Sequence, residues 1–500
     1  MQTRKLVLLA LALLLAFTAI GSRSLWDPDE GRYTNVALNM LESGDWIHPM
    51  RSEEVAHWTK PPLTYWAIAS SVGVFGYHPW AARIPSALAF LATIWLTLRI
   101  ARRIVPGREY SAAIIYATMF MPLIAAHWVS TDFLLTAVVA LAIWGFVEAR
   151  WGEPGAGRKR WVLVMWLGFA LAFMTKGPPG VMYLPILLLF LALAPGESLR
   201  MRQVFWPPAV LAFAVLGFSW YLAVLIETPA LWDYFIGREV VDRIAGSGFG
   251  RNAEWYGWLK VYLPVLVLGT LPWTARVWRA VRGLGSDLPR WLRSPEARRA
   301  EAHRWFLWLW VLVPLLVFCV AKSRLPLYLM PLFPALAILA AAAGPPLGTF
   351  DRRKRLWLGA WIVALIALRF TWAAWPTGKD AGRWAEAIEA RAPGPVSEVV
   401  FVDHPPIYGL HLHLGAMVQV VSIQPWSDDL IGSRYDHDLA HELAGDETGR
   451  VFVTRTRYWD AFVAAARALG VRVTPLGAPY EERIIAVIER SSAQPADEPL

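Results

Sequence analysis

The sequence predicts an α-helical polytopic membrane protein that carries a small C-terminal soluble α/β domain. Three observations lead there. Of 500 residues, 56% are hydrophobic and only 17% charged, with a mean hydropathy of +0.39. Apolar runs of helical length recur from residue 5 to residue 375. From residue 377 onward the apolar runs shorten to strand length and alternate with helical patterns.

A helix crosses the bilayer core with roughly 20 apolar residues. Eleven candidate spans are legible, at 5–22, 84–100, 110–127, 131–148, 161–175, 179–194, 205–226, 259–276, 305–321, 325–343 and 356–375. The first run, behind Arg4 and Lys5, has the form of a signal peptide. With ten runs following it, a retained anchor is expected. The fifth and sixth runs meet at a Lys-Gly-Pro-Pro-Gly break, residues 176–180. The 29 Trp suit membrane interfaces, where an apolar ring and a wet N–H are both satisfied.

Lys and Arg concentrate on the cytoplasmic side of membrane proteins. With the N-terminus inside, the inner segments hold 24 Lys/Arg and the outer segments 12, over similar lengths. The same bias accounts for much of the net charge of +9 without invoking nucleic acid. An odd number of spans leaves the tail outside. The single cysteine, Cys319, excludes an internal disulfide or a Cys-rich metal site. The expected division is a transmembrane part, 1–376, with an outer loop at 23–83 bearing interfacial helices, and an outer-face α/β domain at 377–500.

The outer loop holds the first chemistry. Trp26-Asp27-Pro28-Asp29-Glu30-Gly31-Arg32-Tyr33 gathers three carboxylates just above a membrane end, which is also what a solvated helix N-terminus looks like. Tyr33, Val36, Ala37, Met40 and Leu41 then follow helical spacing, and predict an amphipathic helix along the interface. Gly44-Asp45-Trp46 comes next. His57-Trp58-Thr59-Lys60-Pro61-Pro62-Leu63-Thr64-Tyr65-Trp66 leads into Leu63–Phe75, an apolar stretch too short to span. Acids and a lysine thus face one lipid-level surface, suited to a substrate whose phosphate lies at headgroup height. In the tail, strands are expected at 399–402, 418–423, 451–453 and 484–488, and helices at 383–390 and 459–469. His411 and His413 either alternate on a strand or lie apart on a helix, and are not expected to be ligands.

Asp-Glu-x-Arg-Tyr, Gly-Asp-Trp and Lys-Pro-Pro-x-x-Tyr-Trp, in this order, resemble the bacterial aminoarabinose transferases of lipid A. These group with protein O-mannosyltransferases in the C-type glycosyltransferase fold. Further resemblances are Thr175-Lys176-Gly177-Pro178-Pro179-Gly180, Glu239-Val240-Val241-Asp242-Arg243, and Ser323-Arg324-Leu325-Pro326-Leu327-Tyr328 with Pro331–Leu336. They cover about residues 20–343.

The resemblance implies a glycosyltransferase of a bacterial inner membrane that takes its sugar from a polyprenyl-phosphate carrier on the periplasmic face. Its acceptor would be lipid A, or another lipid or glycan. The alternatives are protein O-mannosyl transfer, or a transporter or flippase for the lipid-linked sugar. A transporter is expected to carry midplane charges and paired repeats, and neither is legible here. By the resemblance Asp29 is the catalytic carboxylate, with Glu30 beside it and Asp132 as a further candidate. Lys60, Arg243 and Arg324 are donor-phosphate candidates, with Lys176 a weaker one. Blander readings pair Arg243 with Glu239, let Lys176 snorkel to the surface, and make Asp132 a helix cap.

Two departures bear on cofactors. The family's metal-associated Glu before the Lys-Pro motif is Thr59 here, a poor ligand, and its His beside Glu239 is Val240. A divalent metal therefore stays open, with His57 as a weak candidate, and strong metal dependence of transfer is not expected. The topology has a direct readout: reporter fusions after residues 50 and 450 should both read outside and one near 290 inside, and a cytoplasmic tail would exclude the eleven-span arrangement.

Overall fold

The computed structural model describes residues 2–153, 157–194, 199–241, 250–426, 431, 433–445 and 448–490. The chain opens with α1 (Gln2–Phe17), α2 (Asp29–Ser43), α3 (Leu63–Phe75), α4 (Pro79–Ile104), α5 (Glu109–Thr118), α6 (Phe120–Ala125), α7 (Thr131–Trp151), α8 (Gly157–Lys176), α9 (Pro178–Val181), α10 (Leu184–Leu193), α11 (Met201–Val204) and α12 (Pro207–Glu227). Helices Gly257–Leu268, Thr274–Arg293, Ala302–Val320, Phe333–Ala342 and Arg352–Ala374 follow. Helix overlies every one of the eleven expected runs. Among the described residues five helices are long and apolar enough to cross a membrane: α4, α7, α12, Ala302–Val320 and Arg352–Ala374.

Several expected runs are broken rather than continuous. The 110–127 run divides at Met119, where the backbone turns extended before α6. The N–H groups of Phe120 and Met121 donate to the carbonyls of Leu271 and Gly269, at 2.9 and 3.0 Å. Irregular backbone at membrane depth survives only when such groups are satisfied inside the protein. Proline at the first turn starts α9 and α10, and Pro326 and Pro331 lie in the 3₁₀ segment Pro326–Leu332 ahead of Phe333–Ala342.

By compactness the chain forms two units. The first comprises Met1–Ser22, Lys60–Thr64 and Arg83–Ala373. Its centre is the α7–α8 pair, which approaches backbone to backbone because small residues line the seam. A Cβ on Gly145 would lie 2.5 Å from the Met165 nitrogen, and one on Gly168 would lie 2.5 Å from the Ala142 nitrogen. Close approach of this kind is how membrane helices gain packing without a hydrophobic driving force. Charges in this unit are held. Arg103 pairs with the buried Glu148 at 3.0 Å. Arg369, buried on the last long helix, donates to the carbonyls of Leu15, Thr18 and Leu123.

The second unit comprises Arg23–Thr59, Tyr65–Ala82 and Ala374–Leu500. The composition break near residue 376 therefore falls at its edge, but compactness adds two outer-loop segments to the tail. The tail sheet has the order β3-β2-β1-β4-β6-β5, from β1 (Glu398–Val402), β2 (Met417–Ser422), β3 (His437–Asp438), β4 (Arg450–Arg455), β5 (Val471–Pro475) and β6 (Arg483–Arg490). β1 runs parallel to β2 and β4, β2 parallel to β3, and β6 antiparallel to β4 and β5. The central β1 is buried at every residue, as a parallel strand covered on both faces must be. The four expected strands and both expected helices (now Ala381–Glu389 and Trp459–Ala468) are present. The short β3 and the polar β5 carry too little apolar signal to read from sequence.

α2 is buried on more than its apolar face. Thr34, Asn35 and Asn39 are buried with Val36, Ala37 and Met40, and the Asn35 and Asn39 side chains donate to the carbonyls of Arg51 and Met50 at 2.6 and 3.1 Å. The outer-loop helix is thus packed within its own unit. In the first unit, Gly168→Leu should overpack the α7–α8 seam and cost about 1–3 kcal/mol, read as a lower melting midpoint of the detergent-solubilised protein, whereas the same change at the unobstructed Gly359 should leave it unchanged.

Candidate active site

Within the second unit, the three carboxylates of the 27–30 segment have separate fates. Asp29 opens α2, its carboxylate 38% exposed and held by Arg32 at 2.6 Å, one helical turn on. It is the one of the three that still meets solvent. Glu30 is fully buried, paired with Arg23, and accepts the Trp26 N–H at 3.0 Å. These partners tie it to the segment ahead of α2.

Asp27 is buried, and its two oxygens accept the N–H groups of Tyr408 and Gly409 at 2.8 and 3.2 Å. Burial pushes the Asp27 carboxyl up to about 7, against the lowering effect of those two amide bonds, and the neighbouring Glu30 charge pushes the same way as burial. The clasp needs two glycines. A Cβ on Gly31 would lie 2.3 Å from an Asp27 oxygen, and one on Gly409 would lie 3.0 Å from the other.

His57 and Thr59 bond one another, His57 Nε2 to Thr59 Oγ1 at 2.6 Å, and the His57 ring packs edge-on to Tyr65. Among the described residues His57 belongs to no group of three His, Cys, Asp or Glu donors close enough to share an ion. At the position that the family resemblance associates with a metal, Thr59 offers only a hydroxyl, a poor metal ligand. His411 lies on the short helix Leu410–Leu414 between Asn35 Oδ1 at 2.9 Å and Glu42 Oε2 at 3.1 Å, a buried link rather than a ligand.

Within the first unit, the structure brings together two residues singled out separately. Lys176, the last residue of α8, pairs with Asp132 in the first turn of α7, and both side chains are about nine-tenths buried. The Lys176 ammonium also lies 4.6 Å from the centre of the Tyr328 ring, where the π-face attracts a cation. Asp132 does not cap α7. Ser130 does, accepting the Asp132 N–H at 3.3 Å. Lys176 is pinned and does not snorkel. Arg324, buried, spends its guanidinium on main-chain carbonyls: Nη1 on Asn252 and Glu254 at 2.7 and 2.9 Å, and Nη2 on Cys319 at 3.0 Å. It clamps the 252–254 segment to the end of Ala302–Val320. Lys60 is half-buried ahead of the Pro61-Pro62 turn into α3. Arg243 lies outside the described residues.

Comparison with known proteins bears on the whole arrangement. Residues 59–222 match the family described as dolichyl-phosphate-mannose-protein mannosyltransferase. An undecaprenyl phosphate-α-4-amino-4-deoxy-L-arabinose arabinosyl transferase of Pectobacterium carotovorum is 31% identical over 371 residues. A Pseudomonas fluorescens enzyme of the same description is 31% identical over 343. The matches take in 72% and 67% of this chain but 62% and 59% of those relatives. The crystal structure of ArnT from Cupriavidus metallidurans bound to undecaprenyl phosphate superposes with a TM-score of 0.75, at 20% identity, over 96% of this chain and 97% of that one. The chain is thus similar to the aminoarabinose transferases and, over residues 59–222, to the protein mannosyltransferase family. The fold is the C-type glycosyltransferase fold with a small C-terminal sheet domain.

Local sequence does not distinguish the buried Asp27 and Glu30 from the half-exposed Asp29. The motif placed three acids side by side, and nothing local says which one meets partners some 380 residues away. The Asp27 clasp has a testable sign. The unfolded chain releases this proton near its ordinary value of 3.8 whereas the folded unit holds it to about 7. The group's contribution is therefore complete at low pH and fades as pH rises from about 4 through 7. The thermal stability of the wild-type protein should fall over that window, and Asp27→Asn should flatten the dependence; identical slopes would show that another group sets it.

Proposed function

We propose that this protein is a membrane glycosyltransferase that moves a sugar from a polyprenyl-phosphate donor to a lipid or glycan acceptor, with lipid A as the first candidate. The observation that carries the reading is the Asp132–Lys176 pair at the ends of α7 and α8, backed by Tyr328. A charge at a membrane-helix end is costly unless it is paired and used. A cation held there is preset for the negative charge that grows on a departing lipid phosphate. The relatives support the choice of donor, since their descriptions name an undecaprenyl phosphate-linked aminoarabinose. The protein is an integral membrane protein. We place it in the bacterial inner membrane with the site and tail on the periplasmic side, in keeping with the Lys/Arg asymmetry.

In this reading the acceptor oxygen attacks the anomeric carbon. The bond from that carbon to the phosphate oxygen breaks, and its electron pair leaves on the polyprenyl phosphate, inverting the anomeric centre. Lys60, Arg243 and Lys176 stabilise the leaving phosphate by charge-assisted contacts. Asp29 takes the acceptor proton when the acceptor is a hydroxyl, and orients the acceptor when it is an already anionic phosphate. Arg32 holds Asp29 in place, and Arg324 shapes the donor side through the backbone it clamps.

Mass spectrometry of envelope lipids and glycans from cells with and without the protein tests the activity, and an unchanged profile would exclude it. Residue roles separate in binding and turnover assays. Lys60→Ala or Arg243→Ala should each remove about 1.5–3 kcal/mol of contact to the donor, about a tenfold to hundredfold loss of transfer efficiency whichever acceptor is supplied. Asp29→Asn should still bind donor while turnover collapses. Loss of donor binding in Asp29→Asn, with binding intact in the two cation variants, would reverse the assigned roles.

A further inference from the structure

One cluster of side chains takes no part in the proposed transfer. In the second unit Glu54, from the outer-loop turn, meets His437 on β3 and His441 on the short helix Leu439–Ala444. Their donor atoms all lie within 4.8 Å of one another. His437 Nδ1 is 3.6 Å from one Glu54 carboxylate oxygen and His441 Nε2 is 3.5 Å from the other. Two metal–ligand bonds of about 2.1 Å at a tetrahedral angle set their donors about 3.4 Å apart. Both distances are close to that spacing.

The surroundings are built to orient His437. Its Nε2 bonds the buried carboxylate of Glu442 at 2.6 Å, while its buried Nδ1 makes no hydrogen bond and faces Glu54. A carboxylate on the far ring nitrogen is the usual partner of a metal-bound imidazole, because it fixes the tautomer and raises basicity at the other nitrogen. Glu442 is itself held by Arg450, at 3.2 Å to its carboxylate and 2.7 Å to its carbonyl, and Arg450 also pairs with Glu398 at 2.9 Å. The opposite side is anchored too. Arg51 and Ser52 both donate to Asp436, at 2.8 and 2.7 Å, and Asp436 in turn accepts the Val420 N–H at 2.6 Å. The turn that delivers Glu54 is thus fixed two residues before it, against the residue that precedes His437. An ordinary exposed His–Glu contact needs no such scaffold.

We propose that Glu54, His437 and His441 bind one divalent transition-metal ion of the zinc class, with Glu442 positioning His437. Two imidazoles and one carboxylate suit a borderline ion and leave a fourth position for water or another ligand. The ion ties the outer-loop turn to the edge strand of the tail sheet. It is independent of the transfer chemistry and of the His57–Thr59 position.

The test uses the full-length protein in detergent, stripped with a strong chelator and titrated with Zn²⁺ by calorimetry and with Co²⁺ by its visible absorption. We expect one ion per chain, a tetrahedral Co²⁺ spectrum, and slower proteolysis at the 51–54 turn when Zn²⁺ is bound. His441→Ala and Glu54→Gln alter exposed side chains, and each should weaken Zn²⁺ binding at least a hundredfold with the far-UV circular dichroism unchanged. Glu442→Gln should weaken it about tenfold to a hundredfold. Absence of stoichiometric binding overturns the proposal. So does binding that survives both His441→Ala and Glu54→Gln, or that is lost in His57→Ala instead.

Discussion

A polar group withdrawn from water must find its partner inside the chain, and this constraint arranges both units. In the membrane-embedded unit it selects pairs and backbone clamps. Asp132 takes Lys176, Glu148 takes Arg103, and the Arg324 and Arg369 guanidinium groups each gather main-chain carbonyls where helices break. In the second unit the same constraint works across the sequence. Asp27 accepts two backbone amides from the Tyr408-Gly409 turn, Arg51 and Ser52 close on Asp436, and His411 lies between Asn35 and Glu42. Leaving any of these groups unpaired would cost the full desolvation penalty of a buried charge or dipole, which exceeds the net worth of the bond that satisfies it.

The pairing sorts residues that the sequence offers as equivalents. Of three neighbouring acids, one is consumed by backbone amides, one by an arginine and a turn amide, and one keeps an exposed face. Of the basic residues offered for a donor phosphate, Arg324 has its guanidinium turned onto carbonyls, whereas Lys176 meets a carboxylate and an aromatic face at a helix end. A role in chemistry is open to a group whose partners can yield to a substrate. A surface-facing carboxylate is such a group, and so is a lysine whose ion pair competes with a phosphate.

The likeness to known transferases is strongest where this logic applies. The fold superposes over nearly the whole chain at 20% identity, which is what packing and backbone satisfaction preserve when side chains drift. By the family resemblance the departures are at Thr59 and Val240, and His57 bonds Thr59 at 2.6 Å. Among the described residues, clustered donors lie in the second unit around His437, where the sequence signal is only His-Asp-Leu-Ala-His-Glu on a short strand and helix.

The sequence by itself determined the membrane class, the helical runs, the α/β tail and the family resemblance, because hydrophobic length, strand-length apolar runs and ordered motifs are properties of contiguous residues. It marked Asp29, Lys60, Asp132 and Lys176 by the same local means. It did not determine which charges are partners. Asp132 and Lys176 are 44 residues apart, Asp27 and Tyr408 381, and Glu54 reaches His437 only through the turn that Asp436 anchors. Those pairings, the breaks at Met119 and ahead of Phe333, and the assembly of the second unit from three separate segments were decided by the tertiary structure. The reason is that satisfying a buried polar group depends on what the fold brings near it, and no window of sequence contains that neighbour.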